Sequence, residues 1–172
     1  MKNKQILFLF FVIFNFINSN ISFSSQKLIE EGIFDKNLSL VIARTTVLDM
    51  NSCDIDDERA SNISKVLKGN SVVSQAYFSY NKIGNKGIKE LGEAFETLPK
   101  LSQIYLYGNR FDNAGAINLF LSLKKVKGLS ILDIRNNLFN EDVLPLLADL
   151  LKENPKLELY TSFSNFKQMF NI

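Results

Sequence analysis

The sequence predicts an α/β solenoid: about four full right-handed strand–helix repeats plus caps, with a parallel sheet on the concave side and helices on the convex side. Three observations predict it. Cys53, Asn81, Asn109 and Asn137 recur at intervals of 28 residues. An apolar run with strand-like alternation precedes each of them. An apolar series with helical spacing follows each.

The strands open each unit. Counting back from the anchors gives Thr45, Leu48 and Met50, then Val73, Ala76 and Phe78, then Leu101, Ile104 and Leu106, then Leu129, Leu132 and Ile134. Ile55, Ile83, Phe111 and Phe139 stand two residues beyond the anchors. Strand side chains two apart share a face, so Leu48, Met50 and their equivalents point into one interior.

The helices close each unit. Ile88, Leu91, Gly92 and Phe95 fall at i, i+3, i+4 and i+7, as do Ala116, Leu119, Phe120 and Leu123, and Leu144, Leu147, Ala148 and Leu151. Ala60, Ile63, Ser64 and Leu67 repeat the spacing with one weaker position. Each set lies on one helical face. Asp56, Asp57 and Glu58, and later Asn140, Glu141 and Asp142, supply caps and negative charge where the helix dipole is positive. Pro145 falls at the first turn of its helix, where a missing amide hydrogen costs least. Pro99 and Pro155 mark unit ends.

On these residues, which follow L-x-x-L-x-L-x-x-N/C-x-L, the chain resembles leucine-rich-repeat proteins of the ribonuclease-inhibitor-like type. The resemblance covers residues 45–156 and implies that each anchor lies inside the turn leaving its strand and bonds to neighbouring backbone. Asn109 in YLYGNRFDNAG then satisfies buried peptide groups where the strand bends. Cys53 reads as a small buried member of the same ladder rather than a nucleophile or metal ligand. As the single cysteine it has no intramolecular disulfide partner.

The ends depart from the pattern. Adding one period to Asn137 gives Asn165, with Leu157 and Tyr160 at inward positions, Ser162 at the next inward position and Lys167 after the anchor. Residues 157–172 are therefore expected to form a degenerate fifth repeat and C-terminal cap, with Phe163, Phe166 and Phe170 at helical spacing. A terminal cap covers the last open rung, as solenoids require. Residues 25–44 are read as an N-terminal cap, with SQKLIEEGIFDK as a short helix and LSLVIA as a strand.

Residues 1–24 read as a signal peptide or, if uncleaved, an N-terminal anchor. Lys2 and Lys4 precede the uncharged run ILFLFFVIFNF, which is short for a membrane span of about 20 residues. Cleavage after Ser19 or Ser24 is expected, giving an exported protein. The leader takes two of 20 basic residues and leaves 18 against 18 acidic ones. A near-neutral chain with no basic stripe lacks the electrostatic footprint of a nucleic-acid binder. Asn20, Asn37 and Asn62 begin Asn-x-Ser triplets, which matter only in a eukaryotic secretory pathway.

The candidate functional surface follows from strand alternation. If Leu48 and Met50 point inward, the residues between them form columns across the concave sheet. One column runs Asp49, Tyr77, Tyr105, Asp133, Thr161; a second runs Asn51, Ser79, Tyr107, Arg135, Phe163; a third runs Val47, Gln75, Gln103, Ile131, Leu159. Tyr77, Tyr105 and Tyr107 are expected to form one aromatic patch flanked by Asp49, Asp133 and Arg135, with Tyr80 and Gly108 at the turn beyond. Together with Gln75 and Gln103 these are the predicted partner-binding residues: exposed Tyr beside Arg and Asp is the composition of a binding hot spot.

No catalytic, cofactor or metal site is predicted. The chain has no histidine, hence neither the commonest general base nor the commonest zinc ligand. Asp49 and Asp133 are three rungs apart, about 14 Å at strand spacing, whereas a glycosidase pair needs about 5–9.5 Å. The expected function is a monomeric, non-catalytic module that binds a protein partner through its concave face. The alternative, implied by the family resemblance, is a regulator of a GTPase or signalling enzyme resembling Ran GTPase-activating proteins.

Overall fold

The computed structural model describes residues 38, 39 and 42–164. The leader, the helix expected over residues 25–36 and the chain beyond 164 lie outside them. Five three-residue strands, β1 (Val47–Asp49), β2 (Gln75–Tyr77), β3 (Gln103–Tyr105), β4 (Ile131–Asp133) and β5 (Glu158–Tyr160), pair in chain order in one parallel sheet. Between them run α1 (Asp57–Leu67), α2 (Asn85–Phe95) and α3 (Asn113–Leu123), each of 11 residues. A 3₁₀ turn (Glu141–Val143) then leads into α4 (Leu144–Glu153).

The core lies between the two layers and is built from the periodic residues. Leu48, Ala76, Ile104 and Leu132, at the strand centres, are buried, as are Met50, Phe78, Leu106 and Ile134 beyond them. The helical faces meet them with Ile63, Leu67, Leu91, Phe95, Leu119, Phe120 and Leu147, all fully or nearly fully buried. Burying such side chains stabilises by about 1.5–3 kcal/mol each relative to exposure. Every unit needs its neighbour for this, so the stack gains stability rung by rung.

The anchor ladder forms inside the turns. The Asn81 side-chain oxygen accepts from the Cys53 and Ile55 amides at 3.0 Å each, and its amide donates to the Met50 and Phe78 carbonyls at 2.8 and 2.9 Å. Asn109 repeats this one rung on, accepting from Ile83 N at 3.2 Å and donating to the Phe78 and Leu106 carbonyls. Asn137 donates to the Leu106 and Ile134 carbonyls. Cys53 heads the ladder, buried, and its thiol donates to Asn51 O at 3.3 Å. Burial first, then the charge of Asp49, push the thiol up to about 11, with Arg59 opposing.

A second ladder joins the helix starts. The Asp57 carboxylate accepts from the amides of Gly84 (2.7 Å) and Gly87 (2.9 Å) in the next unit. Asn85 does the same for Asp112 N (2.9 Å) and Gly115 N (3.2 Å), and Asn113 accepts from Asn140 N at 2.8 Å. These bonds satisfy amides that a helix N-terminus leaves orphaned. They also explain the glycines: a Cβ on Gly115 would lie 2.6 Å from Asn85 Oδ1, and one on Gly87 2.6 Å from Asp57 Oδ1. The fourth unit has Val143 at this position and opens on the 3₁₀ turn instead.

Two expectations are corrected at the ends. The last unit is one residue short: Glu158 pairs with Ile131, Leu159 with Leu132 and Tyr160 with Asp133. Leu159, not Tyr160, therefore faces the interior, and Tyr160 joins the concave surface in place of Thr161. Phe163 is not in a concave column; it packs against the core, 6.0 Å from Phe139. The one-residue loss follows from Leu157-Glu158-Leu159, where the apolar pair is separated by one residue and not by two. At the N-terminus, Leu38, Ser39 and Ile42 are helical, not extended. The Ala43 amide donates to Ser39 O, and Leu38 and Ile42, four apart, are both buried in the core. The alternation that suggested a strand also satisfies i, i+4, and the first rung needs an apolar cover.

Candidate functional site

The strands' short length leaves their flanking side chains half-exposed on the concave face around buried centres. Register then sets the columns: Val47, Gln75, Gln103, Ile131 and Glu158 in one, and Asp49, Tyr77, Tyr105, Asp133 and Tyr160 in the next. Bonds from Met50 N to Tyr77 O, Phe78 N to Tyr105 O and Leu106 N to Asp133 O carry the ladder past the strands. Asn51, Ser79, Tyr107 and Arg135 thus form the third column.

Tyr77 and Tyr105 stack, with ring centroids 4.6 Å apart and planes 3° from parallel. Each hydroxyl donates to the glutamine two residues earlier, Tyr77 to Gln75 at 3.0 Å and Tyr105 to Gln103 at 3.4 Å. Tyr160 repeats the arrangement with Glu158 at 3.4 Å. Partial burial first, then Tyr77, hold the Tyr105 hydroxyl above its ordinary pKa.

Tyr107 belongs to a different cluster. Its ring meets Tyr80 edge-on at 4.9 Å and 63°, and its hydroxyl accepts from Asn136 Nδ2 at 2.6 Å. The single three-tyrosine patch expected from the sequence is therefore two pairs. Tyr80 is 62% exposed and left-handed, at φ 58°. The residue before the anchor is left-handed in every unit: Ser52, Tyr80, Gly108 and Asn136. Gly108 takes this conformation without strain, and its missing side chain leaves room for the Tyr80 ring, whose Cδ1 would stand 3.3 Å from a Cβ there.

Arg135 occupies the far end. Its Nε and Nη2 donate to the two carboxylate oxygens of Asp133, at 2.9 and 2.6 Å. Its Cζ sits 5.4 Å from the Tyr107 centroid and 5.3 Å from that of Tyr160. The Asp133 bond, foremost, raises the Arg135 pKa. Asp133 is 5% exposed, so the pair fixes both side chains in a fork geometry stronger than a loose surface pair.

The structure thus gathers Gln75, Tyr77, Gln103 and Tyr105 into one cluster and Tyr107, Asp133 and Arg135 into another, with Asp49 at the β1 end. Sequence reasoning missed Glu158 and Tyr160, because the short last unit shifts them into the columns. It set Tyr80 aside as a turn residue, although recurrence of the position before the anchor gave a signal. Among the described residues, no group of three His, Cys, Asp or Glu is placed to hold a metal ion.

No protein-family model matches the chain. NACHT, LRR and PYD domains-containing protein 14 of Mus musculus is 30% identical over 107 residues, which are 62% of this chain and 11% of that protein. The chain therefore spans only a small part of the curated relative it matches. The solved structure of leiomodin-1 actin-binding site 2 superimposes with a TM-score of 0.66 at 18% identity, covering 80% of this chain and 82% of that one. That likeness carries the fold. With the 28-residue period, the buried asparagine ladder and the parallel sheet backed by helices, it shows that the chain folds as a leucine-rich-repeat solenoid.

Proposed function

We propose that this chain is an exported, non-catalytic module that binds a protein partner across its concave face. One observation carries the reading. The chain has five tyrosines, and all of them, Tyr77, Tyr80, Tyr105, Tyr107 and Tyr160, stand on the concave sheet or at the turn on its edge. Among the described residues the fully buried aromatics are phenylalanines: Phe78, Phe95, Phe111 and Phe120. The cost of burying a phenolic hydroxyl explains why the interior rings are phenylalanines; it does not call for large aromatic rings on the open sheet, where a tyrosine contributes because one end of its ring meets polar groups or a partner. Large amphipathic rings held in place by hydrogen bonds lose little entropy on binding, which is the economy of an interface hot spot.

The relatives support this reading at the level of the scaffold. The leiomodin-1 structure is an actin-binding site, and at 18% identity it lends this chain its fold and not its ligand. Export rests on the basic start and the apolar run over residues 6–16. The experiment is an affinity pull-down with the chain as bait and a Tyr105→Ala/Tyr107→Ala variant as control. A partner retained by the first and lost from the second is expected. Equal retention by both would remove the concave face from the account.

A further inference from the structure

The concave face has a charge as well as a shape. Three carboxylates, Asp49, Asp133 and Glu158, stand in its columns against one guanidinium, Arg135. On the opposite side four lysines, Lys65, Lys68, Lys86 and Lys89, outnumber two glutamates, Glu90 and Glu93, around a convex cleft of about 420 Å³ between α1 and α2, with Lys68 paired to Glu93 at 3.5 Å. A tyrosine-lined face whose columns hold more carboxylates than cations, with these four lysines on the other side, attracts cations and repels anions.

Arg135 shows how such a cation sits here. Its guanidinium lies against the Tyr107 and Tyr160 rings, 5.4 and 5.3 Å from their centroids, while Asp133 takes both of its forward N–H groups. The ring quadrupoles attract the charge and the carboxylate orients the plane. Asp49 stands in register beside Tyr77 as Asp133 stands beside Tyr105. The backbone amide two residues on bonds to the aspartate in both units, Asn51 N to Asp49 Oδ1 at 3.1 Å and Arg135 N to Asp133 Oδ1 at 3.2 Å. The side chain at that position is Asn51 in the first unit and arginine in the fourth.

We infer that the protein partner presents a basic, arginine-containing segment, which lies across the strands with its guanidinium groups against the tyrosine rings of the central column and the carboxylates of the concave face. This rests on the concave-face reading above and adds the partner's chemistry to it. Arg135 is then a resident occupant of one such seat, and it sets a limit on how much positive charge the face accepts.

The test titrates the full chain with fluorescent oligoarginine, oligoglutamate and glycine-serine peptides of equal length, followed by anisotropy at low and physiological salt. Oligoarginine alone should bind, more weakly as salt rises. Glu158→Gln should weaken it, by up to about fivefold, the contribution of one exposed ion pair. Arg135→Gln should tighten it, by about twofold to fivefold, as expected of a vacated cation–π seat. Thermal unfolding of each variant confirms that it is folded. Oligoglutamate binding, weakening by Arg135→Gln, or oligoarginine binding indifferent to Tyr77→Ala/Tyr105→Ala would overturn the inference. A partner whose capture requires Tyr105 and Tyr107, found with a chain that ignores oligoarginine, would overturn the basic-segment inference and leave the concave-face reading standing.

Discussion

Tyr77 and Tyr105, one repeat apart, stack 4.6 Å from each other and 3° from parallel, each hydroxyl tied to its own glutamine. Such a pair on adjacent strands stabilises the sheet by roughly 0.2–1 kcal/mol. As an interface anchor the same ring is worth about 2 kcal/mol or more. The two roles separate on measurement. Tyr105→Ala should lower the unfolding free energy measured in urea by no more than about 1 kcal/mol while weakening partner capture at least tenfold. A variant that loses fold and binding in proportion would assign the stack to stability.

Asn109 works inside the fold. It is 4% exposed and bonds the Ile83 amide and the Phe78 and Leu106 carbonyls, groups with no water to turn to. Asn109→Ala should reduce stability by about 1–3 kcal/mol in chemical denaturation. Tyrosine-face binding by the folded fraction should be unchanged. An unaltered denaturation midpoint would mean that the ladder is not the spine of the stack.

How much of this was legible depends on which interactions leave a period in the sequence. The interior did: Leu48, Ala76, Ile104 and Leu132 recur at fixed intervals because each fills the same slot, and the asparagines recur because each turn exposes the same backbone groups. The helix-start ladder was equally periodic in Asp57, Asn85 and Asn113, yet its partner groups are backbone amides of the next unit, invisible in a linear reading. Register at β5 was lost to a single missing residue, which moved Tyr160 from the expected interior to the surface and carried Thr161 and Phe163 out of the columns. Pairing between the clusters, Tyr80 with Tyr107 and Arg135 with Tyr160, depends on side-chain directions that strand alternation leaves open.

The helix-start ladder can be tested through its glycines. A methyl group on Gly115 would meet Asn85 Oδ1 at 2.6 Å, Ile88 Cγ2 at 2.8 Å and Phe111 Cβ at 2.8 Å. Gly115→Ala should therefore destabilise by about 1–3 kcal/mol, against the usual gain from alanine inside a helix. Part of that cost belongs to the Asn85 contact. A double-mutant cycle with Asn85→Ala should show coupling of about 0.5 kcal/mol or more, and strictly additive losses would remove Asn85 from the explanation.

Cys53 offers a check by chemical reactivity and pH. It is 3% exposed and burial pushes its thiol up to about 11, from an ordinary value of 9.0. The thiolate is the reactive form, so a thiol reagent at pH 8 should leave the native chain unlabelled and modify it in denaturant. The folded state holds this proton more tightly than the unfolded state. Its contribution to stability is complete below pH 9 and declines as pH rises from about 9 to about 11. Cys53→Ser should flatten the decline over that window; an unchanged slope would assign it to other groups.

Tyr80 provides the sharpest separation of stability from function. An aromatic residue at φ 58° carries backbone strain, of the order of 1–2 kcal/mol for a residue other than glycine. Asparagine accepts this conformation far more readily, and already does so at the equivalent Asn136, at φ 53°. Tyr80→Asn should therefore raise the unfolding free energy by about 1 kcal/mol, less the small loss of its edge contact with Tyr107. Strain of this kind persists where the side chain serves a purpose that stability does not, here an exposed ring at the rim of the tyrosine face. Partner capture should consequently fall while the melting temperature rises. If both rise together, or if binding is untouched, Tyr80 is an unoptimised turn residue and the binding surface ends at Tyr107.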